Sequence, residues 1–283
     1  MKTITDEDVH GAVQEADGVT YYLEVEIKRL VKKRIKYAIL SHRWFEDAEE
    51  PSLHKFSSKA TKNLAGYKKL VIFCEKAQKE YGCSLAWVDT CCIDRSSSSE
   101  LDEAIRSMFR WYQNAHICIA YLAESTSLAS FDSEVWFTRG WTLQELLAPT
   151  RMKFYGKGWL PISASENDKD DAAVLDALTR VTTISEYRLR SFAPGPQGAR
   201  EKLMWASTRR TTRIEDTAYS LLGVFNISMS IAYGEGARAF YRLMVEIIQV
   251  CYEWDLFVFS GPPSLASLPL LLGFWGLLSM LPR

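Results

Sequence analysis

The stretch VWFTRGWTLQELLAP (135–149) sets an aromatic ring, Trp141, and a carboxylate, Glu145, at i and i+4 of a helix, where both face one side. A ring beside an acid suits two tasks. The ring stacks on a planar ligand, and the low dielectric it creates raises the pKa of the acid or strengthens its field on a developing cation. Cleavage of a glycosidic or nucleosidic bond needs that combination, because its oxocarbenium-like transition state is stabilised by a carboxylate acting electrostatically or as a nucleophile. The bland alternative for W-x-x-x-E has the Trp in the core and the Glu solvated or salt-bridged to Arg139.

These residues need a frame. From residue 35 onward short apolar runs alternate with helical periods, the pattern of a mainly parallel sheet covered by helices on both faces, with five or so repeats. KYAILSH (36–42) is too uniformly apolar for a sheet with one wet face and belongs in the centre. A helix is predicted over 61–81, stopped by Gly82. SLAWVDTCCID is the second strand, HICIAYL the third and MKFYG the fourth. Between the second and third, Ser97 with Glu100 forms a capping box. Leu101, Ala104, Ile105, Met108, Phe109 and Tyr112 then follow at helical spacing.

In an open parallel sheet ligands gather at the carboxyl ends of the strands. Those ends carry Ser41, His42, Arg43 and Trp44 after the first strand, Asp89 and Asp94 after the second, and Glu124 after the third. Arg139, Trp141 and Glu145 arrive next. His42 is an acid/base or a hydrogen-bonded structural residue; Arg43 pairs with a ligand phosphate or with a carboxylate. Asp89 and Asp94 flank Cys91 and Cys92, but no further ligand lies at metal spacing, so no metal site is expected.

From residue 170 the character becomes helical without strong strands, broken at APGPQG. The organisation expected is an N-terminal extension (1–34), an α/β core (35–165), a helical part (166–250) and a tail (251–283). Within the tail, LASLPLLLGFWGLLSMLPR is a run of roughly 18 uncharged residues, near the lower limit for a membrane span. Two prolines and two glycines break it, which favours a buried segment or a truncated end over an anchor.

A formal charge of -1, from 34 basic and 35 acidic residues, gives no global attraction to nucleic acid or to an anionic membrane. Arg209, Arg210 and Arg213 cluster, yet Glu215 and Asp216 follow at once, which indicates a paired or solvated helix start. G-x-x-x-x-G-K-[ST] is absent, so no ATP-driven machinery is visible. The six cysteines have no regular spacing and several lie in apolar runs, so buried thiols are expected. With no signal peptide at the N-terminus, a cytoplasmic protein is expected.

YAILSHRW, LAWVDTCCIDRSSSSELDEAIRSMFRWYQNA, VWFTRGWTLQELLAP and MWASTRRTTRIEDTAYSLLGVFNISMSIAYGEGARAF, in that order over 36–248, closely resemble the fungal heterokaryon-incompatibility (HET) domain. HET domains are in turn similar to Toll/interleukin-1 receptor (TIR) domains, whose first strand reads like YDVFLSFRG and whose later helix reads like WCLDEL. The resemblance implies a TIR/flavodoxin-like, doubly wound α/β fold with an appended helical C-terminal half, and a role in self/non-self recognition and programmed cell death. Many TIR domains hydrolyse NAD with the glutamate of that helix, which matches Glu145. Ser41, Arg43, Trp44, Asp89, Arg139 and Trp141 are then the substrate-binding candidates, NAD being substrate and no cofactor being needed. Thr142 stands where the TIR motif has Cys. The alternative implied is a non-catalytic module that signals by homotypic self-association with a non-self partner as trigger.

Overall fold

The computed structural model describes residues 36–45, 49–56 and 59–251. Four parallel strands, β1 (Tyr37–His42), β2 (Leu85–Trp87), β3 (Ile117–Tyr121) and β4 (Met152–Tyr155), form one sheet in the order β2-β1-β3-β4. β1 is central, as its apolar run predicts. Its register with β3 sets Ser41 beside Ala120 and His42 beside Tyr121. The chain leaves β1 to one side for β2 and returns to its other side for β3. The switch point of the winding, where ligand crevices open in such sheets, therefore lies between the carboxyl ends of β1 and β3.

Alternation along the strands divides the core in two. Ile39, Cys118, Ala120, Met152 and Phe154 face one cluster, whereas Ala38, Leu40, Ile117, Ile119 and Tyr155 face the other. The second cluster is covered by α1 (Ala65–Lys79) through Leu70, Phe73 and Ala77. The first is larger. It takes in α3 (Ser98–Asn114), α4 (Thr142–Leu147) and the helical part of the chain: α5 (Ala172–Thr182), α6 (Glu186–Arg190), α7 (Ala199–Ser207), α8 (Asp216–Tyr219), α9 (Leu222–Phe225) and α10 (Arg238–Val250). The helical half thus shares one core with the sheet. Gly223 shows how closely they pack, since a Cβ there would stand 2.1 Å from the Cβ of Phe109 on α3.

Several local expectations change. The predicted strand SLAWVDTCCID narrows to Leu85–Trp87, and the Cys pair falls instead in the short helix α2 (Asp89–Cys92). β2 is an edge strand with one neighbour and two exposed residues, so it needs little length. The helix predicted over 61–81 starts at Ala65 behind a 3-10 turn, and Gly82 follows its end at φ 62. The capping box at Ser97 is half realised: its hydroxyl accepts from the Glu100 amide at 3.3 Å, while the Glu100 carboxylate accepts from Asp94 N at 2.8 Å. Four strands rather than five occur among the described residues. The long helical pair expected over 214–249 is two short helices, α8 and α9, followed by α10. The expectation of buried thiols holds for Cys83 and Cys118 but fails for Cys74 and Cys92, which are exposed on the outer side of α1 and at the rim of β2. The N-terminal extension (1–34) and the apolar run of the tail lie outside the described residues. Among the described residues no helix is long and apolar enough to cross a membrane.

Candidate functional site

The sheet sorts the strand-end residues before any chemistry is considered. Ser41 continues the face of Ile39 and meets α4; His42 continues the face of Leu40 and meets α1. On the α4 side the Ser41 hydroxyl donates to the Glu145 carboxyl and accepts from Trp136 Nε1 at 2.9 Å. One hydroxyl is thereby used in both directions. The Tyr112 hydroxyl donates to Leu40 O at 3.0 Å beside the same carboxyl. Glu145 is 8% exposed. Burial, joined by the charge of Asp89, pushes its pKa up to about 8, against the pull of Ser41 and of the Arg139 charge. Its carboxyl is thus a protonated acid near neutral pH, bound to Ser41 rather than ion-paired to Arg139. Tyr112 is raised well above the ordinary phenol range by burial and by Glu145.

The helix bearing Glu145 is held by the helical half. Arg210 N donates to Thr138 O at 2.7 Å and Gly140 N to Arg210 O at 2.8 Å, so residues 138–140 and 210 pair like a fragment of sheet. Arg209 Nη1 reaches Arg139 O and Thr142 Oγ1, both at 2.9 Å, and Thr142 Oγ1 lies 2.6 Å from Trp136 O. The hydroxyl of Thr142 thus links the start of α4, the approach loop and Arg209. Burial lowers the Arg209 pKa to about 10, against the field of Glu145. The expectation of a paired or solvated start for the 209–213 cluster is corrected for Arg209, which is partly buried against this loop. Trp141 stands at the N-terminal end of α4 and packs against the larger core cluster.

On the α1 side the groups are different. His42 is buried, and neither ring nitrogen has a hydrogen-bond partner. Its Nε2 stands 3.7 Å from Asp89 Oδ1, beyond hydrogen-bonding distance. Burial, then the charges of Lys69, Arg139 and Arg95, hold it well below the usual imidazole pKa, so it is neutral. Asp89 accepts from Trp44 Nε1 at 2.9 Å, and the Arg95 guanidinium lies 3.8 Å from the Trp44 ring centre. Burial raises the Asp89 pKa, against Arg95 and Trp44. Lys69, buried, binds Glu50 and sits 4.1 Å from the Phe45 ring centre.

Ser41, Glu145, Asp89, Trp44 and Arg139 therefore gather around the carboxyl end of β1, in two groups that feel each other's charge across it, whereas Trp141 packs into the larger core cluster. Arg43 stands apart. Its guanidinium is exposed and ion-paired to Glu124 at 2.9 Å, turned away from Glu145. Asp94 is held by His54 and Ser96 at the surface. Trp136, Tyr112 and Arg209 were not singled out by sequence as site residues. The signal for Trp136 was present, an indole five residues before Trp141 in the same motif, whereas Tyr112 is indistinguishable in sequence from the core stripe of α3. Cavities of about 340 and 430 Å³ lie elsewhere, around Arg151 at the start of β4, and Glu145 lines neither. Among the described residues no group of three His, Cys, Asp or Glu side chains could hold a metal ion.

Residues 37–132 match the family model described as heterokaryon incompatibility protein (HET). The chain is 39% identical over 223 residues, 75% of its length, to the vegetative incompatibility protein HET-E-1 of Podospora anserina, and spans 16% of that relative's length. No solved structure matches it.

Proposed function

Because the chain carries a heterokaryon-incompatibility (HET) domain, we propose that it acts in vegetative incompatibility, as an effector of the cell death that follows contact with non-self, from the cytoplasm. The name of its relative and the matched family support this. The strand order β2-β1-β3-β4 supports a TIR-like, flavodoxin-like ancestry, being the first four places of the 2-1-3-4-5 order.

The chemistry we infer is hydrolysis of the nicotinamide–ribose bond of NAD. The observation that carries it is Glu145, an acid held at the switch point of the sheet and raised to about 8. The C1′–N bond breaks and nicotinamide leaves with the electron pair. Water adds at C1′ and its proton passes to solvent. A carboxylate at Glu145 stabilises the oxocarbenium-like centre, and the cationic nicotinamide ring of the substrate favours that carboxylate form as it binds. Trp44 and Trp141 offer rings for the base or the nicotinamide, and Asp89 offers an acceptor for a ribose hydroxyl. Arg139, and Arg43 once released from Glu124, offer charge for the pyrophosphate.

A second reading is a non-catalytic module that signals by self-association. It is favoured by the closed state of the site, with Glu145 8% exposed and Arg43 turned outward. Purified protein at high concentration, incubated with NAD, separates the two. Release of nicotinamide by the wild type, lost in a folded Glu145→Ala variant, is expected from hydrolysis. Equal release by both, or none by a self-associated wild type, overturns it.

A further inference from the structure

The two cavities around the start of β4 lie toward the amino ends of the strands, away from Glu145, and Arg151, Ser165 and Glu166 line both. Most of the charge on their walls is already spent. Lys153 is ion-paired to Asp168 at 3.0 Å, and the hydroxyls of Ser163 and Ser165 donate to Asp168 and Asp171. Glu80 pairs with Lys76 at 2.8 Å and accepts from the Tyr155 hydroxyl, while Asp170 stands 3.5 Å from Arg190 Nη1. Two lining groups of opposite sign are left, since neither Arg151 nor Glu166 forms an ion pair with a described residue. The Arg151 guanidinium donates from Nη1 to His116 Nε2 at 3.1 Å and makes no other side-chain hydrogen bond to a described residue. Partial burial, then the charges of Arg151 and Lys36, lower the His116 pKa, so the ring that holds the guanidinium is neutral and leaves its charge uncompensated.

We propose that Arg151 and Glu166 form a binding site for a free α-amino acid, whose carboxylate is taken by Arg151 and whose ammonium is taken by Glu166. A guanidinium presents a planar fork of N–H donors that matches a carboxylate, and an ammonium has donors alone and needs a bare acceptor. Ligands of a single sign fit less well. A phosphate drawn to Arg151 meets the charge of Glu166, and a polyamine drawn to Glu166 meets that of Arg151. A volume of about 340 Å³ is at the lower end for small-ligand sites, and Tyr81 and Pro161 give the cavity a less polar wall for the side chain of the amino acid.

The site joins two segments of chain. Arg151 closes the link between α4 and β4, and its carbonyl accepts from Cys118 N at 3.0 Å. Glu166 belongs to the segment that grips this link: Asn167 Oδ1 accepts from Met152 N at 2.9 Å, and Lys169 Nζ donates to Pro149 O at 2.6 Å. An amino acid held at both ends adds one more bridge between the two segments. It therefore stabilises the folded chain, by mass action, without touching Glu145.

Thermal unfolding of the full chain with each common free amino acid in turn, followed by isothermal titration with the one that raises Tm most, tests the site. At least one is expected to raise Tm and to bind. Its N-acetyl derivative and its carboxamide each lack one of the two charges, and each is expected to bind at least about tenfold more weakly. Arg151→Met and Glu166→Gln are expected to weaken binding of the parent amino acid to a similar extent, and Glu166 is exposed, so its variant keeps the fold. Glu145→Ala is expected to bind as the wild type does. Binding by no free amino acid, equally tight binding of the N-acetyl derivative and the carboxamide, or undiminished binding by Glu166→Gln would overturn the assignment. Loss of binding in Glu145→Ala would overturn it too, by placing the ligand at the carboxyl ends of the strands.

Discussion

The hydroxyl of Ser41 hydrogen-bonds the carboxyl of Glu145 across 104 residues of sequence, joining the carboxyl end of the central strand to the helix that carries the candidate acid. Trp136 Nε1 completes the arrangement at 2.9 Å. Ser41→Ala removes the oxygen that both groups share, taking one hydrogen bond from the buried acid and leaving the buried indole N–H of Trp136 without this partner. The expected loss is about 1–3 kcal/mol of stability, measured by urea unfolding. If the network is one unit, Ser41→Ala combined with Trp136→Phe costs less than the sum of the two single losses. Strict additivity would show that the two bonds act independently.

Glu145 gives stability a distinctive dependence on pH. Its folded pKa of about 8 lies above the ordinary 4.5, so between those values the folded state binds more protons than the unfolded state. Stability is then highest below about pH 4.5 as far as this group is concerned, and is lost as pH rises through 8, by on the order of 5 kcal/mol across the window. Glu145→Gln has the shape of the protonated acid and cannot ionise. Relative to wild type it is expected to unfold at higher denaturant at pH 8 and at similar denaturant at pH 5. A difference that does not change with pH would exclude a raised pKa.

The sheet was legible because β1, β3 and β4 are buried on both faces and read as unbroken apolar runs, and the site was legible insofar as it lies at their ends. β2 misled because an edge strand of three residues has no run to read, and the apolar VDTCC that follows it curls into a helix. Arg43 was placed by its position after β1, but position does not determine which way an exposed side chain turns, and Glu124 sits within its reach. The contacts of Arg209 with Arg139 and Thr142 join residues 70 and 67 apart, and no periodicity reports such a crossing. The reading of NAD as substrate rests on resemblance joined to the raised acid.

If Glu145 acts as a carboxylate, catalysis follows its ionisation. The free protein holds it protonated below about pH 8. kcat/KM for NAD is therefore expected to rise about tenfold per pH unit below that value and to level off above it, because kcat/KM reports the free protein. kcat, which reports the complex, should level off at lower pH, since the bound cationic ring favours the carboxylate. Nicotinamide release measured from pH 5.5 to 9 tests both. A kcat/KM that falls as pH rises over this range would assign Glu145 the role of a proton donor instead.

Gly140 is the point at which the helical half touches the approach to Glu145. A Cβ there would stand 2.4 Å from Thr211 Cγ2, while Ser220 Oγ, at 3.5 Å, lies at ordinary contact distance. The clash is therefore with one methyl group on the segment whose Arg210 O accepts from Gly140 N. Gly140→Ala should push residues 210 and 211 outward, loosening the Arg209 contacts to Arg139 and Thr142 and with them the start of α4. Overpacking of this kind costs about 1–3 kcal/mol. Thr211→Ser deletes Cγ2 and keeps the hydroxyl that bonds Arg213 O at 2.7 Å. It is expected to be nearly neutral alone and to restore most of the stability lost in Gly140→Ala. A double variant as unstable as Gly140→Ala would mean that the glycine is needed for its backbone and not for the room it leaves.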